Sequence, residues 1–320
     1  MMQFMKNSVV SPVRLAVMIG AFLGMGMVAP VGAEDMPPAL STVSPANRPP
    51  KKLLEPKVPM EIPADQPTGS AEREGQDLQR MIEKTRAALA RTPEDVDLRV
   101  RLAYALERQG DIDQAMKEYE AVIVLAPGDV WARNNLGVLY VQRGRYDEAI
   151  GKFGEALFRD PQYQAARYNS GLTFRKIGDT EAAIRQFRLV LQTDPKHVEA
   201  RVSLGQALYD QGEVDEAIRQ YREAIAVNPQ FNPAHRHLGK ALFKKGDAAG
   251  AVTEYRQAVR VLPQDSMLRY EFAQALEAAG DREEAAAEWR RFLDLHPDRP
   301  DQQRLRDGAV ARLRALGETP

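Results

Sequence analysis

Apolar residues from Val96 to Arg299 fall into short helical stripes that are interrupted at a fixed interval. One stripe, Leu136, Gly137 and Tyr140, is followed by a second, Ala149, Phe153 and Ala156, and the pair then begins again. Spacings of three and four put each set on one face of an α-helix. A glycine separates the two stripes of a pair, at Gly110, Gly144, Gly178, Gly212, Gly246 and Gly280. A proline follows each pair, in the series Pro93, Pro127, Pro161, Pro195, Pro229, Pro263 and Pro297. Both series keep a step of 34 residues. Glycine accepts the left-handed backbone that ends a helix, and proline cannot continue one. The pattern therefore predicts two helices per 34 residues. Small residues let neighbouring helices approach, and the aromatic is expected to fill the space between units.

Six full units follow without insertion: 96–129, 130–163, 164–197, 198–231, 232–265 and 266–299. The other second helices repeat the stripe as Ala115/Tyr119, Ala183/Phe187, Ala217/Tyr221, Ala251/Tyr255 and Ala285/Trp289. Ahead of them, Leu78, Met81, Ile82 and Leu89 keep helical spacing from about Ser70 to Pro93, so residues 70–95 read as an N-terminal capping helix. Residues 300–320 hold a last helix, about Asp301–Leu316, with Leu305, Ala309, Leu313 and Leu316 on one face. Its other face is rich in Arg and Asp, as suits a cap facing solvent. The predicted fold is all-α: a solenoid of six 34-residue helix-turn-helix repeats, capped at both ends.

This unit resembles the tetratricopeptide repeat, with Leu-Gly, an aromatic or Leu three further on, Gly, then Ala, an aromatic, Ala or Val, and Pro. The likeness covers Val96–Arg299. It departs at the fourth place of each unit, where the family often has Trp and this chain has Arg99, Arg133, Arg167, Arg201, His235 and Arg269. These cations read either as a ladder for an acidic ligand or as partners of the carbonyls that end the preceding helix.

The resemblance implies a right-handed superhelix whose first helices line a concave groove, with the second, fifth, sixth, ninth, twelfth and thirteenth places turned inward. The groove residues are then Trp131, Asn135, Val138, Tyr168, Asn169, Leu172, Arg175, Gln206, Tyr209, Arg236, Lys240 and Phe243. Rigid aromatics supply contact area at low entropic cost. Asn135 and Asn169 share one place in adjacent units, and their amides suit an extended peptide backbone. Arg175, Lys176, Arg236, Lys240 and Lys244 form a positive cluster that favours an acidic segment, unless it is simply solvated. For Trp131 and Tyr209, packing between adjacent first helices is the alternative. Chaperone-binding members of the family grip a carboxylate with Lys and Asn, then Asn, then Lys and Arg. The matching places here hold Val100, Tyr104, Asn135, Ala165 and Asn169, so only Asn135 agrees.

The chain of 320 residues has a net charge of −1, which suggests neither nucleic acid nor an acidic lipid surface as partner. It contains no cysteine, which excludes disulfides, thiol catalysis and Cys-based zinc sites. His235 and His237 are two apart on a helix and point different ways. No phosphate-cradling glycine loop, zinc-binding helix or nucleophile elbow occurs. The expectation is a protein that is not an enzyme and needs no cofactor or metal, with a protein or peptide partner. Self-assembly into a scaffold, or service as an accessory subunit of an envelope secretion or polysaccharide machine, stands as the alternative.

The first 33 residues resemble an export signal: Lys6 and Arg14 lead, Leu15–Ala29 is apolar, and Val31-Gly32-Ala33 provides a small-residue exit. Residues 15–29 are short for a bilayer span, but an uncleaved inner-membrane anchor is the alternative. From Glu34 to Gly69 stand nine prolines in 36 residues, which deny both helix and sheet. This segment is a tether or a docking segment in its own right. The expected location is the periplasm or cell envelope. N-terminal sequencing of the exported chain is expected to begin at Glu34, and a chain that still begins at Met1 rejects cleavage.

Overall fold

The computed structural model describes residues 70–295 and 303–319. The expected export signal (1–33), the proline-rich tether (34–69), Pro297 and the expected helix start at Asp301 lie outside the described residues. Helix α1 (Ser70–Leu89) precedes six helix pairs. The first three are α2 (Val96–Gln109) with α3 (Ile112–Leu125), α4 (Val130–Gln142) with α5 (Tyr146–Arg159), and α6 (Gln164–Lys176) with α7 (Thr180–Thr193). The next two are α8 (Val198–Gln211) with α9 (Val214–Val227), and α10 (Asn232–Lys245) with α11 (Ala248–Val261). The sixth pairs α12 (Ser266–Ala279) with α13 (Arg282–Leu295), and α14 (Gln303–Ala315) follows. Among the described residues there are 14 helices and no strand. Each helix packs on the next, and first helices of neighbouring repeats also touch. Contacts confined to sequence neighbours define an α-solenoid.

Local chemistry sets the helix ends. Asp95 accepts the N–H groups of Asp97 and Leu98, each at 3.0 Å, and Asp129, Asp179, Asp247 and Asp265 cap their helices in the same way. Gly110 ends α2 at φ 88°, which lets the Asp111 N–H reach back to the Leu106 carbonyl at 2.9 Å.

Inside each of the four middle repeats, the aromatic of the second helix lies directly against the glycine of the first. A Cβ on Gly137 would stand 2.6 Å from the Phe153 ring, one on Gly171 2.7 Å from Phe187, and one on Gly239 3.0 Å from Tyr255. The ring thus fills the gap within its own repeat, where the sequence suggested the gap between repeats. The reason is steric: only a residue without Cβ lets a ring sit directly on helix backbone. Phe153 and Phe187 are wholly buried, a burial that stabilises by about 1.5–3 kcal/mol each.

The fourth-place cations close the joints between repeats. Arg99 donates to the Pro93 carbonyl at 2.9 Å and to Glu118 at 2.7 Å. Arg269 donates to Pro263 at 2.8 Å and to Glu288 at 2.5 Å, and His235 bridges Pro229 and Glu254. Arg167 and Arg201 bond to Pro161 and Pro195, whereas Arg133 takes the Asp129 carbonyl instead. These contacts realise the carbonyl-capping alternative. At the far end Ala309 and Leu313 of α14 are buried with Trp289 and Phe292, while Leu305 and Leu316 pack at the edge.

The Gly171→Ala substitution is expected to cost about 1–3 kcal/mol, because the Phe187 ring must move off its helix. Gly154→Ala, where a Cβ meets open space, is expected to be neutral or stabilising. Urea denaturation of the two variants checks the contrast.

Candidate partner-binding face

The expected groove residues stand at equivalent places on successive first helices, and the structure joins many of them across repeat boundaries. Asn169 donates its amide to Asn134 at 2.9 Å, and Asn134 donates to Asn135 at 3.0 Å. Asn135 donates to the Tyr119 hydroxyl at 3.4 Å, which in turn donates to Glu107 at 3.0 Å. This chain of donors runs from the third repeat to the first. All three asparagines are buried, and these bonds serve the joints between repeats. Tyr119, Glu107 and Ser203 complete these bonds and were not among the expected groove residues. Their only sequence signal was a hydroxyl or carboxylate at places otherwise read as core or surface.

Tyr168 bonds through its hydroxyl to Ser203 at 3.3 Å, and its ring lies against Phe187 and His197. Gln206 contacts His237 of the next repeat, and His237 stacks on Tyr221 with centroids 5.7 Å apart. Trp131 is fully buried edge-on to Tyr119, while Val138 and Leu172 are buried beside their helices' neighbours. Trp131 therefore takes the packing alternative, although its indole Nε1 is buried without a partner.

The positive cluster is largely neutralised from within. Arg175 pairs with Asp210 at 3.5 Å, and Arg236 pairs with Asp265 at 3.2 Å and Glu271 at 3.1 Å. Lys240 and Lys244 stand over the Tyr209 ring, at 5.9 and 4.3 Å from its centroid. Phe243, beside them, is the most accessible of the twelve expected residues at 37%. The structure thus brings Tyr209, Lys240 and Phe243 to one accessible patch on the fourth and fifth repeats. It leaves Trp131, Asn135 and Val138 apart from that patch, in the second repeat. Among the described residues no group of His, Asp or Glu could hold a metal ion, and no helix is long and apolar enough to cross a membrane.

Comparison with known proteins agrees with this geometry. Tetratricopeptide repeat models match residues 96–139, 134–198 and 268–299, and a TPR repeat model matches 205–246; together they take in more than half of the chain. The chain belongs to the tetratricopeptide repeat family.

A tetratricopeptide repeat protein from Parabacteroides merdae is 20% identical, with a TM-score of 0.56 over 74% of this chain and 94% of that one. PilF from Pseudomonas aeruginosa is 16% identical, with a TM-score of 0.59 over 67% of this chain and 97% of its own. Both likenesses show the fold. MamA is 26% identical over 50% of this chain and 93% of its own, with a TM-score of 0.47. No curated protein matches the chain.

Tyr168 and Tyr119 of this tetratricopeptide array are held neutral. Burial pushes the Tyr168 hydroxyl up from its usual value near 10 to about 12, against a lowering by Ser203. Burial, then the neighbouring Glu107 carboxylate, raises Tyr119 well above that usual value. The folded state keeps the Tyr168 proton more tightly than the unfolded chain, so the contribution is complete below pH 10 and is lost as pH rises through 12. Stability is expected to fall over that window, by roughly 2–3 kcal/mol for Tyr168 alone. Tyr168→Phe makes the fall between pH 9 and pH 11 shallower by about 1 kcal/mol, as read by urea denaturation at pH 9, 10 and 11.

Proposed function

We propose that this protein is a non-enzymatic adaptor of the bacterial cell envelope, binding an extended peptide or a partner helix along the groove face of its first helices. One observation carries the reading: Tyr209, Lys240, Phe243 and Lys244 gather into an accessible patch of rings and ammonium groups on successive repeats. Aromatic anchors flanked by cations suit a peptide that offers an apolar side chain beside a carboxylate. A periodic array presents such contacts in a row, which matches the repeating backbone of an extended chain better than a compact small molecule.

The envelope location rests on the amino-terminal pattern, with Lys6 and Arg14 ahead of Leu15–Ala29 and a small-residue exit at Ala33. The rest of the groove face supports the reading by being rigid. Its side chains are cross-bonded from repeat to repeat, so little ordering entropy remains to oppose binding.

Changing Lys240 and Lys244 to Glu together with Phe243 to Ala tests the patch, because these side chains are at least partly accessible and fall outside the buried core. Capture of envelope proteins by the triple variant is expected to weaken at least tenfold while the helical circular-dichroism spectrum stays the same. Undiminished capture by a helical variant rules the patch out as the binding face.

A further inference from the structure

The outer face of the second repeat is unlike that of the other five. Helix α5 buries Ala149, Phe153 and Ala156. At 100° per residue, Asp147, Gly151, Gly154 and Phe158 fall within about 60° of one another on the opposite side. All four are exposed, and Phe158, at 82%, is the most accessible large apolar side chain among the described residues. The other repeats show what such a face usually carries. The place of Gly154 holds Glu120, Arg188, Arg222, Arg256 and Arg290 elsewhere, and the place of Gly151 holds Lys117, Arg185, Arg219, Thr253 and Ala287. The place of Phe158 holds Gln192, Ala226, Arg260 and Asp294 in the last four repeats. In the first repeat it holds Val124, which is 77% exposed and continues the apolar surface onto α3.

Nothing within the molecule uses the two glycines. Neither has a positive φ, and a Cβ on either would meet nothing within 4 Å. Glycine is a poor helix former, so two of them weaken an exposed helix unless something uses the bare backbone. Gly137, Gly171, Gly205 and Gly239 show the use this fold makes of a helical glycine, which is to seat an aromatic ring. The outer face of α5 holds both halves of that contact, bare backbone at Gly151 and Gly154 and a ring at Phe158. The ring does not fold back on its own helix, since the space over Gly154 is open.

A second copy completes the contact. A face that carries both a ring and the seat for one is self-complementary, and such faces pair about a two-fold axis. An antiparallel pair of α5 helices, with the axis between Gly154 and Glu155, sets Phe158 of each copy on Gly151 of the other. The charges suit the same arrangement. Helix α5 opens with Asp147 and Glu148 and closes with Arg159, so antiparallel pairing brings each basic last turn towards an acidic first turn. Glu155, beside the axis, is already paired with Lys152 and Arg133 of its own chain.

We propose that the outer face of α5 binds the same face of a second copy of this chain, antiparallel, with Phe158 of each seated on Gly151 and Gly154 of the other. The pairing uses a second helix, so the first-helix face that carries Tyr209 and Lys240 is left for another partner. One helix with its flanking Val124 buries less than the roughly 1,200 Å² of a standard interface, so the pair is weak and forms at micromolar concentration.

Sedimentation velocity of the full chain from about 1 to 200 μM tests the pairing, a range that brackets a weak dimer. The unaltered chain is expected to pass from monomer to dimer. Gly154→Arg, which installs the residue that four other repeats carry at this place, is expected to raise the dimer dissociation constant at least tenfold without lowering the urea midpoint. Phe158→Ser, a change at an exposed side chain, is expected to give the same loss and serves if the arginine disturbs the helix. Benzoylphenylalanine in place of Phe158 is expected to cross-link to residues 148–155 of a second copy. A chain that stays monomeric over the whole range overturns the proposal, and so does a dimer that both substitutions leave unchanged. A cross-link only to residues 1–69 of the same molecule, or only to a different protein, also overturns it, because another occupant then covers Phe158.

Discussion

A ring lying on bare helix backbone is the contact on which this array depends. Phe153 on Gly137, Phe187 on Gly171, Tyr221 on Gly205 and Tyr255 on Gly239 set how closely the two helices of a repeat approach. The second helix of one repeat must then meet the first helix of the next, so an error in one pair would be passed along the array. The first and last repeats lack this glycine and carry Ala103 and Ala273 at its place, both buried. The closest approach is thus found in the four middle repeats.

Two sets of polar contacts hold successive pairs in register. On the outer side, five of the six fourth-place cations bond to the proline carbonyl between the preceding helix and their own, Arg133 taking the Asp129 carbonyl instead, and several also bond to an acid on their own second helix. Such a joint draws on the negative end of a helix dipole and on a charge pair together. The Arg269–Glu288 pair is the most deeply buried of these, with Glu288 only 2% exposed. On the groove side, Asn169, Asn134, Asn135 and Tyr119 pass hydrogen bonds across three repeats. Hydrogen-bond chains in a low-dielectric interior polarise one another, so this relay stiffens the middle of the array.

The same stiffness bears on recognition. A groove face that is cross-bonded in its middle and accessible at its fifth repeat offers a partner a fixed set of contacts. The Tyr209 ring with Lys240 and Lys244 above it is the place where apolar area and positive charge reach solvent together. Arg175 and Arg236 are paired with acids of the next repeat.

Much of the scaffold was legible in the order of residues. Proline and glycine act on their own backbone, so Pro161 and Gly144 mark helix ends wherever they occur, and six repetitions of one spacing make the solenoid readable. The surroundings of the groove residues were not legible in this way. Whether Arg175 is free depends on Asp210, 35 residues away, and whether Asn169 is available depends on Asn134. Those pairings arise only when one repeat is stacked on the next. The sequence by itself determined the helices, their ends and the repeating architecture, because these follow from local backbone chemistry and from apolar spacing. Only the tertiary structure decided which groove side chains are engaged and which stay accessible, because burial and charge pairing belong to neighbours in space and not to neighbours along the chain.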